Sequence, residues 1–341
     1  MQYKADNKRY KKLNYRRCGN SGLQLPSITL GLWQNFGGSN ISPEAKKMIF
    51  RAFDRGVTHF DLANNYGPPY GSAERNFGRI INKDLKKYRD ELIISTKAGY
   101  DMWDGPYGNW SSKKYITASL NQSLKRLNLD YVDIFYSHRF DPLTPLEETA
   151  EALSLAVKQG KTLYVGISSY SSKKTIEINK LLKERGVKCL IHQPSYSLIN
   201  RWIEKDLLST LKKLGIGCIA FSPLAQGMLS DKYLKYIPSK SRASKNDSLK
   251  KIMITQSYKN KIKNFSKIAK SRNQTVSQLA IAWVLRHKTM TSALIGARTL
   301  KQLDECLDSL NNIKFNKNEI TQINKYAKDE NINLWASSSQ N

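Results

Sequence analysis

Four polar residues have the side-chain types that proton transfer to a carbonyl group requires: Asp61, Tyr66, Lys97 and His138. A free tyrosine has a pKa of about 10 and is a weak acid at neutral pH. A lysine beside its oxygen would stabilise the phenolate and lower that pKa. We therefore predict that Tyr66 protonates a carbonyl oxygen and that Lys97 is the neighbouring cation.

The other two residues complete this arrangement. Asp61 would keep Lys97 charged and in place, since a buried lysine needs a carboxylate partner. His138 would donate a hydrogen bond to the carbonyl or relay the proton to Tyr66. No side chain supplies a hydride, so the reduction of a carbonyl also needs a nicotinamide cofactor. Taken singly, each residue also suits a structural role, and only the four together favour chemistry.

Short apolar runs predict the buried strands that position these residues. The runs span 57–60 before Asp61, 92–96 before Lys97 and 132–136 before His138, and Tyr66 lies in the loop after the first of them. In a parallel α/β barrel, residues just beyond the carboxyl ends of the strands converge on one mouth. Residues far apart in sequence are therefore expected to share one pocket.

Helix and strand signals alternate along the rest of the chain. Ser42, Pro43 and Glu44 supply an N-cap, a first-turn proline and an acidic first turn, and Gly56 ends that helix. Further helices are predicted at 72–82, 112–127, 145–159, 171–185, 203–214, 258–271 and 275–286. Strands are predicted at 27–30, 58–61, 92–96, 132–136, 162–168, 189–193, 216–221 and 292–295.

This alternation indicates an α/β fold, a (β/α)8 TIM barrel, in one domain over residues 1–341. The turn residues at 19–22 predict an N-terminal β-hairpin that closes one end of the barrel. The last two predicted helices are extra helices near the C-terminus, after a lysine-rich loop at 235–250. A doubly wound Rossmann sheet suits the chain less well, because no Gly-x-Gly-x-x-Gly motif opens the first helix.

The formal net charge is +28, from 56 Lys and Arg residues against 28 Asp and Glu residues among 341. A basic chain can bind nucleic acid, but these lysines are spread over nearly every predicted helix rather than gathered into one stripe. We therefore predict no nucleic-acid partner and expect the charge to attract anionic substrates. Because no signal-like segment or run of about 18 apolar residues is present, we predict no membrane association and a cytoplasmic location.

The four cysteines, Cys18, Cys189, Cys218 and Cys306, stand singly, and no Cys-x-x-Cys pair suggests zinc binding or redox exchange. We predict reduced thiols, and we expect Cys189 and Cys218 to be small buried hydrophobic residues. No metal site is expected.

Two other barrel chemistries use similar residues. His59 and Asp61 lie two apart on one strand and share a face, so with His138 and His192 they could bind a metal, as in a barrel hydrolase. Lys97 at a strand end could form a Schiff base with a substrate, as in an aldolase. Chelator sensitivity would favour the first alternative, and borohydride trapping of a substrate adduct would favour the second.

Longer motifs in the same order resemble the aldo-keto reductase superfamily. HFDLANNYG surrounds Asp61 and Tyr66, IISTKAG surrounds Lys97, and YVDIFYSHR surrounds His138. The segments LGLWQNFG, YVGISSYS, IHQPSYSLINRW, AFSPLAQGMLSDKYL and NLWASSS extend the resemblance over essentially the whole chain. Within the superfamily they are similar to the group that contains the bacterial L-glyceraldehyde 3-phosphate reductases and the potassium-channel β subunits. The resemblance implies a (β/α)8 barrel that reduces aldehydes with NADPH.

The resemblance also implies a cofactor site with a nicotinamide end and an adenosine end. Trp33 belongs both to this site and to the substrate pocket. The residues that match the nicotinamide end are Ser168, Ser169, Gln193 and Phe221. The residues that match the pyrophosphate loop are Ser222, Leu224, Gln226, Gly227 and Lys232. The residues that match the adenosine end are Gly296, Gln302 and Glu305.

At the adenosine end the chain departs from its relatives, since Arg298 replaces a serine and Cys306 replaces an asparagine. Arg298 and Arg242, with Lys240 from the preceding loop, could form a cationic site for the 2′-phosphate, because guanidinium groups pair well with phosphate oxygens. We therefore predict NADPH rather than NADH as the cofactor.

The predicted substrate pocket is aromatic. Its residues are Trp33, Tyr66, Tyr100, Trp103 and Trp110. A small aldehyde such as methylglyoxal, glyceraldehyde 3-phosphate or a simple aromatic aldehyde would suit such a pocket. We expect an ordered mechanism in which NADPH binds before the aldehyde.

A non-enzymatic role is the remaining alternative, because channel β subunits bind cofactor yet act largely as partners. Those subunits usually carry asparagine at the position of His138, so the histidine favours a reductase. The relatives form tetramers or octamers, and the resemblance therefore implies a homo-tetramer or octamer here.

Overall fold

A computed structural model describes residues 3–239, 241–245, 249–329 and 336. Two strands, β1 (Tyr15–Arg17) and β2 (Gln24–Pro26), form an antiparallel hairpin. The eight parallel strands of a closed barrel follow: β3 (Ile28–Gly31), β4 (His59–Asp61), β5 (Ile93–Ala98), β6 (Val132–Ser137), β7 (Thr162–Ser168), β8 (Cys189–Gln193), β9 (Gly217–Phe221) and β10 (Met290–Ile295). Sequential strands are neighbours, and β10 closes the barrel against β3. The predicted (β/α)8 TIM barrel is therefore confirmed, and the Rossmann alternative is wrong.

Helices connect the strands and surround the barrel. They are α1 (Pro43–Asp54), α2 (Ser72–Ile80), α3 (Lys113–Leu127), α4 (Leu146–Lys158), α5 (Ser172–Glu184), α6 (Leu207–Leu214), α7 (Arg242–Lys245), α8 (Gln256–Ser271), α9 (Val276–Val284), α10 (Leu300–Asp308) and α11 (Lys317–Tyr326). Ser42 caps α1 as its sequence predicts, by accepting a hydrogen bond from the Ala45 backbone at 3.1 Å. Within the described ranges, no helix is both long and apolar enough to cross a membrane.

The observed helices depart from the predicted ones at several points. The helix predicted at 203–214 begins later, since a short 3-10 turn at Trp202–Glu204 precedes α6 and the non-helical backbone of Asp206 separates the two. The α2 helix ends at Ile80 and continues as a π turn over Ile81–Leu85. The loop predicted at 235–250 contains the short helix α7.

The hairpin covers the amino-terminal end of the barrel strands. The Asn20 backbone donates to the Gly215 carbonyl at 2.9 Å, immediately before β9. Glycine is required at the start of β9, because a Cβ on Gly217 would lie 2.3 Å from the Cys18 sulfur. The hairpin therefore closes one end of the barrel, as predicted, and leaves the carboxyl ends of the strands for the site.

Large side chains fill the barrel interior. Tyr136 and Ile134 of β6 pack with Ile191 and Ile219 in one buried cluster. A Cβ on Gly166 would lie 2.6 Å from the Tyr136 ring, so a glycine in β7 makes room for the tyrosine. All four cysteines are buried and free, which confirms the prediction for Cys189 and Cys218.

Glu74, in the first turn of α2, joins three elements behind the strand ends. Its fully buried carboxylate accepts hydrogen bonds from the Thr96 hydroxyl of β5 at 2.5 Å and from Arg126 Nε of α3 at 2.6 Å. The Arg126 side chain is only 12% exposed, so the ion pair is largely shielded from water. Removing one partner of such a pair leaves an uncompensated charge in the interior.

Glu74→Ala is therefore expected to lower the free energy of unfolding by about 3 kcal/mol, and urea unfolding followed by circular dichroism measures it. Glu147→Ala is the matched control, because Glu147 is exposed in the first turn of α4. Such an exposed change should alter stability by no more than about 0.5 kcal/mol. Equal unfolding midpoints for the two variants would mean that the buried pair does not stabilise the fold.

Candidate active site

Lys97 lies fully buried on β5, where two oxygen atoms of the neighbouring strand and loop hold its ammonium group. Its Nζ donates to Asp61 Oδ2 at 2.5 Å and to the Leu62 carbonyl at 2.6 Å. The same Nζ lies 3.4 Å from the hydroxyl oxygen of Tyr66. The structure therefore brings three of the four predicted residues into direct contact.

The second carboxylate oxygen of Asp61 is also satisfied. Oδ1 accepts a hydrogen bond from the Ser95 hydroxyl at 2.7 Å and one from Gln193 Nε2 at 3.3 Å. Asp61 and Ser95 are register partners on β4 and β5, which explains their approach. Sequence reasoning missed Ser95, although it lies two residues before Lys97 on one strand and therefore on the same face.

His59 packs below Asp61 with both ring nitrogens in contact with hydroxyl groups. Nδ1 lies 3.0 Å from the Thr29 hydroxyl and Nε2 lies 2.9 Å from the Ser95 hydroxyl. Burial lowers the pKa of His59 to about 4, so the imidazole is neutral. In the part of the chain that the structure describes, no three His, Cys, Asp or Glu side chains are grouped as a metal site would need. The metal-hydrolase alternative therefore has no geometric support there.

Tyr66 and His138 face each other across the mouth of the barrel. Tyr66 lies in the loop after β4, and His138 directly follows β6. Their ring centroids are 5.9 Å apart in an edge-to-face arrangement. The ring of Trp33 lies 6.1 Å from Tyr66, and the ring of Tyr100 lies 4.7 Å from His138. All four predicted tetrad residues thus lie together at the carboxyl ends of the strands, beside the rings of Trp33 and Tyr100.

The electrostatics of Tyr66 differ from the prediction. Burial raises the pKa of the Tyr66 hydroxyl well above its ordinary value, and the charges of Asp61 and Tyr100 raise it further. The pKa is therefore raised overall rather than lowered as predicted, because loss of solvent outweighs any stabilisation of the phenolate by Lys97. Tyr66 is consequently protonated at neutral pH.

Two further pKa shifts decide which groups near Tyr66 carry charge. Burial and the cations Lys97 and Arg139 lower the pKa of His138 well below its ordinary value, so its imidazole is neutral. Burial lowers the pKa of Lys97, whereas the Asp61 carboxylate raises it. The pocket therefore combines a neutral acid, a neutral imidazole and a paired ammonium.

The residues assigned to the nicotinamide end lie at the carboxyl ends of β7, β8 and β9. The Ser168 hydroxyl and the Ser169 backbone both donate to the Gln193 carbonyl, at 2.8 and 3.2 Å. Ser169 has a left-handed backbone, with φ at +56°. Phe221 is the last residue of β9 and is partly exposed. The structure brings these four residues to the same edge as Asp61.

The loop after β9 turns sharply through a run of left-handed residues. Ser222, Gln226 and Gly227 have φ values of +54°, +59° and +94°. The Leu224 carbonyl accepts from the backbone of Gly227 at 2.9 Å. Gln226 Oε1 is buried with no hydrogen-bond partner among the described residues, and a Cβ on Gly227 would meet no atom within 4 Å. An unsatisfied polar atom and open space thus lie beside this largely buried turn.

A cationic cluster, formed by Lys232, Arg242 and Arg298, lies beyond this loop. Loss of solvent and the charges of Arg298 and Arg242 lower the pKa of Lys232, so the three cations are close together. The Arg242 guanidinium carbon lies 5.7 Å from the Trp33 ring, which connects the cluster to the tetrad. Lys240, which sequence reasoning added to this set, lies outside the described residues.

Comparison with known proteins agrees with this geometry. The model of the aldo/keto reductase family matches residues 27–328. The chain belongs to the aldo/keto reductase family. It is 53% identical to the L-glyceraldehyde 3-phosphate reductase of Escherichia coli strain K12 over 344 residues, covering 99% of each chain. Its identity to the protein of the same name from Escherichia coli O157:H7 is also 53%, with the same coverage.

Membership makes the chain an oxidoreductase, and use of NADP is typical of the family. It also favours reduction over the Schiff-base chemistry that a strand-end lysine alone would allow. In this aldo/keto reductase the Lys97 ammonium is instead bound by a carboxylate and a carbonyl. Those two contacts suit a lysine that acts as a cation.

The residues assigned from the sequence to the adenosine end lie before and within α10. Gln302 Oε1 accepts from the Arg298 backbone at 3.0 Å, and a Cβ on Gly296 would meet no atom within 4 Å. Glu305 accepts from the Thr275 hydroxyl, the N-cap of α9, at 2.7 Å. Cys306 is buried in the core. Gln302 therefore orders the backbone that carries Arg298, and a buried thiol occupies position 306.

Aromatic residues of the predicted substrate pocket are placed in different ways. Tyr100 contacts His138, whereas Trp103 packs against Tyr115 of α3 at 5.2 Å between ring centroids. Trp110 lies 3.8 Å from the guanidinium carbon of Arg139. Sequence reasoning missed Arg139, although it directly follows His138 in the motif that predicted the histidine.

Proposed function

We propose that this chain reduces small aldehydes to alcohols with NADPH and that Tyr66 delivers the proton to the carbonyl oxygen. The observation that carries this proposal is the 3.4 Å distance between the Tyr66 hydroxyl and Lys97 Nζ, which Asp61 holds. The nicotinamide, when bound, supplies the hydride. Proton delivery and orientation of the carbonyl are left to side chains of this protein.

Tyr66 can act as the proton donor because its raised pKa keeps it protonated at neutral pH. When it gives up its proton, the phenolate forms beside the Lys97 ammonium, which stabilises the new negative charge. Asp61 and the Leu62 carbonyl keep that ammonium in place. The lysine therefore acts when the proton is transferred rather than in the resting state.

His138 is suited to orient the carbonyl. Its lowered pKa makes it a neutral imidazole, which can donate a hydrogen bond but carries no surplus proton to deliver. Its Nδ1 is buried with no partner among the described residues. Of the two roles suggested by the sequence, the geometry and charge favour that of hydrogen-bond donor.

The residues present suit a dinucleotide with a 2′-phosphate. Ser168, Ser169 and Gln193 would hold the carboxamide, and the loop at 222–227 would hold the pyrophosphate. The unsatisfied Gln226 oxygen and the open space at Gly227 support this assignment. The cationic cluster would bind the 2′-phosphate, because guanidinium groups form paired hydrogen bonds with phosphate oxygens.

Arg298→Ala is expected to weaken NADPH binding by about ten- to a hundredfold, because one charge-assisted contact contributes roughly 1.5–3 kcal/mol. NADH binding should change by less than about twofold, since NADH lacks the phosphate. Nucleotide fluorescence titration measures both affinities, and Lys301→Ala on α10 is a control with the same change in charge. Equal losses for NADPH and NADH would mean that Arg298 does not read the phosphate.

The proposed substrates are small aldehydes, with glyceraldehyde 3-phosphate and methylglyoxal first. Glyceraldehyde 3-phosphate appears in the name of the two relatives described above. The test is NADPH oxidation followed by absorbance with both aldehydes in parallel. Turnover supports a reductase, whereas tight NADPH binding with negligible turnover on every small aldehyde would favour a partner protein.

Order of binding is tested by product inhibition. With NADPH bound first, NADP⁺ should inhibit competitively against NADPH, and another pattern would contradict the ordered mechanism. A cytoplasmic location, a single domain and a homo-tetramer or octamer stay predictions from the sequence.

A further inference from the structure

Arg139 directly follows His138, and its guanidinium lies between two aromatic rings. Its Cζ is 4.2 Å from the centre of the Tyr100 ring and 3.8 Å from that of Trp110. The Tyr100 ring in turn lies 4.7 Å from the His138 ring. A cation and the proposed carbonyl-binding imidazole therefore lie against the same tyrosine, at the mouth of the pocket.

Hydrogen bonds fix the plane of this guanidinium but leave one nitrogen unused. Nε donates to the Gly99 carbonyl at 2.8 Å, and Nη2 donates to Asn109 Oδ1 at 2.9 Å. Nη1 has no hydrogen-bond partner within the described ranges. A planar group held along two edges can present its remaining donor in a constant direction.

The carboxylates of Asp101 and Asp141 lie near enough to favour the charge of Arg139, but no carboxylate of the described residues forms an ion pair with it. Asp101, a nearby acid, accepts a hydrogen bond from the Asn109 amide. Asp141 accepts from the Ser111 backbone at 3.0 Å and from the Thr144 hydroxyl at 2.6 Å. Burial lowers the pKa of Arg139 and outweighs the opposite effect of Tyr100, Asp101 and Asp141.

A role in holding the loop together explains only part of this arrangement. The stacking and the two hydrogen bonds attach residues 99–110 to the end of β6. They do not require a charge whose neighbouring carboxylates are turned to other partners. A ligand with an anionic group would supply the missing counter-charge.

We infer that Arg139 binds an anionic group of the substrate, a phosphate, while its aldehyde lies at His138 and Tyr66. The inference rests on the proposed reductase function and adds the residue that would favour a phosphorylated aldehyde over an uncharged one. Guanidinium groups pair with phosphate oxygens through charge-assisted hydrogen bonds. The Tyr100 ring lies against both groups, and the proposed ligand, a three-carbon aldehyde phosphate, would direct its aldehyde to His138 and its phosphate to Arg139.

The first experiment compares glyceraldehyde 3-phosphate with uncharged glyceraldehyde in wild type, Arg139→Gln and Arg139→Lys. Arg139→Gln should lower kcat/KM for the phosphorylated aldehyde by about ten- to a hundredfold and change that for glyceraldehyde by less than about threefold. Arg139→Lys should recover part of the lost kcat/KM, since lysine restores the positive charge but not the paired N–H donors of the guanidinium. Equal losses of kcat/KM on both aldehydes would mean that Arg139 only holds the loop in place, and would overturn the inference.

A binding measurement separates this inference from the proposed function. Calorimetry with glycerol 3-phosphate and glycerol is performed on enzyme saturated with NADP⁺, so that the cationic cluster is already occupied. Wild type should bind glycerol 3-phosphate about tenfold more tightly than Arg139→Gln does, even if no aldehyde is turned over. Unchanged affinity in Arg139→Gln would overturn the anion site, whatever the activity of the wild type.

Discussion

Lys97→Met is expected to lower kcat/KM for aldehyde reduction by about a hundred- to ten-thousandfold. In the wild type, the phenolate of Tyr66 would form 3.4 Å from an ammonium that Asp61 and a carbonyl hold in place. Methionine has a similar shape but no charge, so the phenolate would form in an apolar pocket without compensation. Steady-state NADPH oxidation measures this effect.

The pH dependence of the wild-type enzyme gives a separate check. Because burial raises the pKa of Tyr66, the wild-type rate should be flat through the neutral range and fall only at alkaline pH, where the hydroxyl is lost. The rate falls rather than rises with pH because only the protonated hydroxyl can give up a proton. Near-ultraviolet circular dichroism and NADPH affinity would establish that Lys97→Met is folded. A folded variant with wild-type kcat/KM would contradict the role of Lys97.

Tyr66→Phe is expected to reduce turnover by a similar factor, about a hundred- to ten-thousandfold, with NADPH affinity within about twofold of wild type. Phenylalanine keeps the ring that contacts Trp33 and His138 at 6.1 and 5.9 Å but removes the hydroxyl. Packing should therefore survive while the proton donor is lost. The kinetic assay and a nucleotide fluorescence titration measure the two quantities.

A tyrosine of the same loop supplies the matched control for Tyr66→Phe. Tyr70 is 52% exposed, so Tyr70→Phe removes a hydroxyl that lies in solvent. Its kcat/KM should equal that of the wild type. Substantial turnover by Tyr66→Phe, or an equal loss in both variants, would mean that another group supplies the proton.

Much of the fold follows from local signals. Apolar runs located the barrel strands, and the Ser42 cap and Pro43 located the start of α1. The hairpin at the closed end followed from its turn residues. The late start of α6 could not be predicted from the sequence. The break comes from the non-helical backbone of Asp206, which hydrophobic periodicity does not indicate.

The sequence predicted which residues group at the candidate site but not the direction in which the pKa of Tyr66 is shifted. Strand ends meet at one mouth of a barrel, so Asp61, Lys97 and His138 could be grouped from the sequence. The pKa of Tyr66 depends on how much water remains around its hydroxyl, which the sequence does not specify. Ser95 and Arg139 were missed, although both lie within the motifs, because the contacts that give a serine or an arginine its role are visible only in the folded structure.

The most direct test of aldehyde reduction at Tyr66 is a single turnover. The complex of wild-type enzyme with NADPH is mixed rapidly with excess glyceraldehyde 3-phosphate, and NADPH absorbance and glycerol 3-phosphate are measured together. We expect one NADPH oxidised and one glycerol 3-phosphate formed per site, with both changes slowed at least about a hundredfold in Tyr66→Phe. Bound NADPH that stays reduced in the wild type, with this aldehyde and with methylglyoxal, would contradict the proposed function.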